Sequence, residues 1–133
     1  MTEQERLAGW HNVVFNHNLD MLDDLLADDI TFHTPLYLKP RQGREAAKFI
    51  LTSVTEIFEN FTYHREMLVG DIWMLEFSAN IGQFSLKGID VIGWNAAGQI
   101  IDFEVYIRPI NAVQALGAAM YEKIKAAGLT ELM

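Results

Sequence analysis

Alternation of apolar and polar residues is clearest between Lys87 and Pro109. Ile101, Phe103, Val105 and Ile107 fall on one side of an extended segment, and Asp102, Glu104, Tyr106 and Arg108 on the other. Period two is the mark of a strand with one buried face. The run before it, from Phe84 to Trp94, is a second strand. Asn95 to Gly98 joins the two as a hairpin, because Asn and Gly tolerate the positive φ of a tight reversal. Further upstream, Phe61 to Val69 and Ile72 to Ile81 are strands, the latter with Trp73, Leu75, Phe77 and Ala79 on one face. Gly70-Asp71 and Gly82-Gln83 supply the turns.

Helical spacing governs the other segments. Residues 2 to 17 place Leu7, Trp10, Val14 and His17 on one face with Val13 beside them, and Thr2 with Glu5 forms a capping box. Asn18 caps a short helix, Leu19 to Leu26, that Asp28-Asp29 ends. Ile30 to Thr34 is a strand closed by Pro35, and Tyr37 to Gln42 is a loop. Arg44 to about Glu59 is a long amphipathic helix burying Ala47, Ile50, Leu51, Val54 and Phe58. A last helix runs from about Asn111, its cap, to Ala127, with Gly128 as its stop and Leu116, Met120, Tyr121 and Ile124 as its apolar stripe. Four consecutive strands joined by tight turns make an antiparallel meander. With helices packed on one face this is an α+β fold, and a strongly curved sheet of this kind encloses a pocket.

Composition narrows the function. The chain of 133 residues is half hydrophobic and carries a formal net charge of -8. One domain with a real core is expected. The acidic balance argues against nucleic acid, whose phosphates need a basic surface. No apolar run reaches membrane-spanning length and the N-terminal stretch lacks a signal-peptide core, so a cytoplasmic protein without membrane contact is expected. Cysteine is absent, which removes disulfides and thiolate chemistry. The four histidines show no metal-ligand spacing, and no glycine-rich phosphate loop or Gly-x-Ser-x-Gly nucleophile occurs. No metal or other cofactor is expected.

One residue breaks the pattern. Asp90 interrupts the apolar run Gly-Ile-Asp-Val-Ile. A carboxyl there is paired, kept protonated or working. The bland reading is a strand-edge carboxylate satisfied by a backbone N–H or a hydroxyl.

The segments Leu26-Ala-Asp-Asp-Ile-Thr-Phe-His-Thr-Pro35, Gly43-Arg-Glu-Ala, Gly88-Ile-Asp-Val and Gly98-Gln-Ile resemble the nuclear transport factor 2-like superfamily, and within it SnoaL-type proteins and ketosteroid isomerases. The resemblance spans about residues 5 to 110. It implies a cone-shaped, curved antiparallel sheet covered by the N-terminal helices, with a C-terminal helix added. It implies a cavity between sheet and helices, and a homodimer formed through the sheet face. Asp90 matches the ketosteroid isomerases' protonated oxyanion-hole aspartic acid. Their general-base Asp is here Thr34, beside His33. Their first-helix tyrosine falls at Trp10 without a gap, or at His11 with one. The resemblance also puts Leu75, Phe77, Phe103, Val105 and Ile107 on the cavity side.

The candidate catalytic residues are therefore Asp90, as a donor to a developing enolate, and His33, as a base whose free pKa of about 6.5 suits proton transfer near neutrality. Pleating opposes His33: if Thr34 points inward, His33 points outward. Trp10, Phe32, Thr34, Tyr37, Leu75, Phe77, Phe103, Val105 and Ile107 form the candidate ligand-binding set. Tyr37 and Tyr63 offer hydroxyls but read more simply as loop and surface residues. Arg108 reads as a buried anchor for Glu104 or for a partner subunit. Three functions stay open: a cofactor-free isomerase or cyclase acting by proton transfer on a small apolar carbonyl compound, a carrier of such a molecule without turnover, and a dimeric structural domain whose cavity its own side chains fill.

Overall fold

The computed structural model describes residues 2–133. Helix α1 (Glu3–Asn16) opens with the expected capping box: Thr2 Oγ1 accepts from Glu5 N–H at 3.1 Å, and Glu5 accepts from Thr2 N–H at 3.4 Å. It ends at His17, whose φ of 55° is left-handed. The next helical stretch is a 3-10 turn, Leu19–Met21, running into a single turn, α2 (Leu22–Leu25), and Asn18 makes no side-chain cap. Asp28 and Asp29 do not end that helix. They sit exposed inside strand β1 (Leu26–His33), whose other face buries Leu26, Ile30 and Phe32. Pairing with a distant strand extends β1 well ahead of its local β-rich core, and local propensity cannot show that.

The loop after Pro35 holds an unexpected short strand, β2 (Arg41–Gln42). It pairs antiparallel with β1, and Thr31 Oγ1 donates to Gln42 Oε1 at 3.0 Å. Two residues are too few to carry a period. Gly43, at φ 97°, leads into α3 (Arg44–Ile57), which buries Ala47, Ile50, Leu51 and Ser53. The meander follows as β3 (Glu59–Val69), β4 (Ile72–Ile81), β5 (Phe84–Trp94) and β6 (Ile100–Arg108). Helix α4 (Ile110–Ala127) starts from Pro109 rather than Asn111 and ends at Gly128, φ 70°. Its buried stripe is Ala112, Leu116, Met120 and Ile124. Tyr121 lies off it, half exposed, with Lys125 Nζ over its ring.

The six strands form one sheet in the order β2-β1-β6-β5-β4-β3. The meander is antiparallel as expected, but β1 joins β6 in parallel, with Phe32 opposite Phe103. Register breaks in β3, between Glu59 and Thr62 and again between Tyr63 and Glu66, are bulges, which bend a strand and tighten its twist. Another between Gly93 and Trp94 puts Ile100 rather than Ile101 in the core. The concave side carries the core, built from Trp10 and Val13 of α1, Ile50 and Leu51 of α3, Leu116 and Met120 of α4, and the inward residues of the strands. At the α1 end, Arg6 lies over Trp73 and Trp94 as a cation on two π faces. Arg108, expected as a buried anchor, is exposed on the convex side.

Gly88 is the tightest point in the sheet. A Cβ there would strike the Phe77 ring and lie 2.5 Å from the Tyr106 carbonyl oxygen. The absent side chain lets Phe77 lie flat across β5, two residues from Asp90. Gly88→Ala is expected to destabilise the protein by about 1–3 kcal/mol, the usual cost of overpacking. Urea unfolding measures it.

Candidate active site

Between the concave face and the helices lies a cavity of about 200 Å³. Its walls are apolar, formed by α1 (Trp10, Val13, Val14), α3 (Ile50, Leu51, Val54), α4 (Leu116, Met120) and β6 (Phe103, Val105, Ile107). Phe32 stacks on Phe103 with ring centroids 5.0 Å apart, and Trp10 leans on the same ring at 5.3 Å. Asp90 is the one carboxyl in the lining, and it is 6 % exposed.

Asp90 is not alone. Tyr63 Oη donates to Asp90 Oδ2 at 2.6 Å, and Trp10 Nε1–H donates to Tyr63 Oη at 2.8 Å. Tyr63 stands on β3 and Asp90 on β5, with β4 between them. The bend of β3 brings the phenol across Phe77, which faces Tyr63 edge-on. Burial raises the Asp90 carboxyl to about 7, and the tyrosine hydrogen bond partly opposes that rise. Burial, reinforced by the neighbouring carboxylate, pushes the Tyr63 phenol well above its ordinary value, so it remains a donor. Asp90 Oδ1 has no hydrogen-bond partner among the described residues. The carboxyl thus has one oxygen held by protein and one left for the cavity. Near neutral pH it is divided between acid and base forms.

The structure brings Trp10, Phe32, Thr34, Phe103, Val105 and Ile107 to the cavity with Asp90. Thr34 Oγ1 accepts from Leu36 N–H at 3.2 Å, which leaves its proton to donate. Leu75 and Phe77 are fully buried on the concave side but lie behind the lining, Leu75 directly across from Asp90 in the ladder. Tyr37 is not brought in. It sits in the loop, 43 % exposed, under the Arg41 guanidinium.

His33 is not brought in either, which corrects its candidacy as the base. It points away from the cavity, and its Nε2 lies 3.1 Å from Asp102 Oδ1 on the adjacent strand. Strand alternation decides this, because Thr34 takes the inward place. His11 likewise faces out, 2.6 Å from Glu66, so of these two neighbours it is Trp10 that reaches the site. Tyr63 reads as a surface residue from sequence because Thr62 before it and His64, Arg65 and Glu66 after it are polar. The pair Phe61 and Tyr63 at i, i+2 was the available signal of an inward aromatic face. Among the described residues, no three His, Asp or Glu side chains gather in metal-binding geometry.

This fold has parallels among known proteins. The profile of the SnoaL-like domain matches residues 7–103. A solved structure from Pseudomonas aeruginosa, described as a steroid delta-isomerase, is 39% identical with a TM-score of 0.89, covering 93% of this chain and 92% of that one. A protein with a cystatin-like fold from Silicibacter pomeroyi is 36% identical with a TM-score of 0.86, covering 90% and 85%. At 15% identity and a TM-score of 0.71, covering 80% and 90%, a nuclear transport factor 2-like protein from Mesorhizobium loti shares the fold. The chain therefore belongs to the SnoaL-like domain family, on a nuclear transport factor 2-like scaffold. No curated protein matches it.

Two outcomes are expected from the Tyr63–Asp90 pair. Tyr63→Phe removes the only stabiliser of the ionised carboxylate among the causes of its shift, so Asp90 should titrate above about 7 in carboxyl-carbon NMR. Asp90 binds its proton more tightly folded than unfolded, so its contribution to stability is full below pH ~4 and lost as pH rises through about 7. Wild-type stability should fall over that window, while Asp90→Asn, which stays neutral, should show a flatter pH profile and exceed wild type at pH ~8.

Proposed function

We propose that the protein binds a compact apolar carbonyl compound in this cavity and moves a proton on it, with Asp90 as the acid/base group. The observation that carries the proposal is a buried carboxyl in an apolar cavity, one oxygen fixed by Tyr63 and the other unpartnered. Titration at about 7 gives it the balance a proton shuttle needs. The likeness to a structure described as a steroid delta-isomerase supports the same class of reaction.

In the first step Asp90 Oδ1 takes a proton from the carbon next to the carbonyl. The C–H electrons pass to the carbonyl oxygen as an enolate, to which the Thr34 hydroxyl in the cavity wall would donate. The proton then returns from Asp90. Delivered to another carbon of the conjugated system, it completes an isomerisation. If the enolate carbon instead attacks a second carbonyl of the same molecule, the proton goes to the new alkoxide and a ring closes. Tyr63 and Trp10 hold the carboxyl in place throughout, and the apolar walls keep water from competing for the proton. The 200 Å³ space lies below the roughly 300–1,000 Å³ of drug-sized pockets, which favours a small substrate.

We also propose that a second copy of the chain covers the convex face. Met67 pairs with Met74, Val69 with Ile72 and Ile89 with Tyr106, and all six are more than a third exposed. On β5 and β6, Lys87 and Arg108 mark one end of this face and Asp102 and Glu104 the other. A two-fold axis would set the basic end of one copy against the acidic end of its partner.

For the reaction, deuterium exchange at the α-carbons of a panel of cyclic ketones and enones in heavy water, followed by NMR, is the test. Wild type should exchange faster than buffer, with a rate that rises through about pH 7 as Asp90 ionises. Asp90→Asn should lose about 100-fold or more. Saturable binding of these compounds with no exchange would replace the enzyme reading with a carrier. For the assembly, Met74→Glu should convert a dimer to a monomer in sedimentation. A monomeric wild type would end that proposal.

A further inference from the structure

Only three residues of the cavity lining are exposed: Phe15, His17 and Asn60. They mark its mouth, at the end of α1 and the start of β3. Two of the three share an uncommon backbone. His17 has φ 55° and Asn60 φ 56°, and these are the only described residues other than glycine with positive φ. At Gly43, Gly70, Gly82, Gly98 and Gly128 the chain meets the same requirement with glycine. Glycine is the unstrained solution at such places. Side chains have been kept at just the two positions that open onto the cavity.

Neither side chain is used by the fold in a way that accounts for this. The closing hydrogen bond of α1 is made by the His17 backbone N–H to Asn12 O, and the His17 imidazole has no hydrogen bond. The Asn60 side-chain amide makes one long contact, Nδ2 to Asn80 Oδ1 at 3.4 Å; Thr62 Oγ1 donates to the backbone carbonyl, and the side-chain Oδ1 has no protein partner. Two exposed groups that both donate and accept thus stand little used by the protein at one end of an otherwise apolar space whose buried carboxyl is Asp90.

We propose that His17 and Asn60 form a second recognition point, which binds a neutral hydroxyl at the end of the ligand remote from the carbonyl. A hydroxyl matches two partners that each donate and accept. A carboxylate fits less well, because the carbonyl end of α1 carries partial negative charge and no basic residue stands in its last turn. The inference deepens the reading of Asp90 as the working group. It makes the substrate a hydroxylated carbonyl compound, carbonyl inward and hydroxyl at the mouth.

The test compares naphthol with a naphthalenediol bearing its second hydroxyl on the distant ring, each titrated by intrinsic fluorescence. A hydroxynaphthoate with its carboxylate at that place is the third probe. Wild type should bind the diol tightest, by about tenfold over naphthol. His17→Gly combined with Asn60→Gly should erase that preference and leave naphthol affinity within about threefold. Its thermal midpoint should equal or exceed that of wild type, because glycine accepts the same φ without strain. A lowered midpoint, an equal loss for both neutral probes, an unchanged preference or tightest binding of the carboxylate would each overturn the proposal. The preference is a difference between two probes, so it should persist in Asp90→Asn. Its persistence there alongside absent α-proton exchange in wild type would mean that the Asp90 reading fails while the mouth stands.

Discussion

The hydrogen bond between Tyr63 and Asp90 is the contact around which this protein is arranged. A carboxyl group sealed among aromatic and aliphatic side chains is tolerable when protonated and costly when charged. The phenol makes the charged form attainable without making it comfortable, and the Trp10 indole fixes the phenol from behind. Three elements far apart in sequence, α1, β3 and β5, meet in that one chain of donors. Remove the bend of β3 and the phenol cannot cross β4. Give β5 a side chain at Gly88 and the Phe77 ring beneath the phenol is displaced.

The same arrangement shows how stability and chemistry compete. Filling the cavity and replacing Asp90 by an apolar residue would give a better packed core. The chain instead keeps unfilled space of about 200 Å³ and a buried acid. The surrounding packing is dense: Trp10, Leu75, Phe77, Ile92 and Phe103 are all at most 1 % exposed. Leu75 and Phe77 lie outside the cavity lining and back the strand that carries Asp90.

Much of this was legible in the residues. Period-two alternation located β4, β5 and β6 to within a residue, because each has one face in the core and one outside. Asp90 stood out as a carboxyl in an apolar run. What escaped depended on tertiary pairing. β1 reaches back over Asp28 and Asp29 because β6 lies beside it, and β2 exists only as the partner of β1. His33 and Thr34 are neighbours, so a single step of pleat decides which faces the cavity, and the bend at Pro35 obscures that step in the sequence. Tyr63 was hidden by the polar residues on either side of it. The bulges that turn it inward have no sequence mark as clear as a glycine.

The parallel pairing of β1 with β6 has a consequence for biosynthesis. Strand β1 emerges from the ribosome long before β6, with all of α3 and four strands still to be made between them. Its inner edge must wait, and an unpaired strand edge invites association with other nascent chains. Asp28 and Asp29 lie exposed in that strand, and charges on an unpaired strand disfavour its pairing with a second copy.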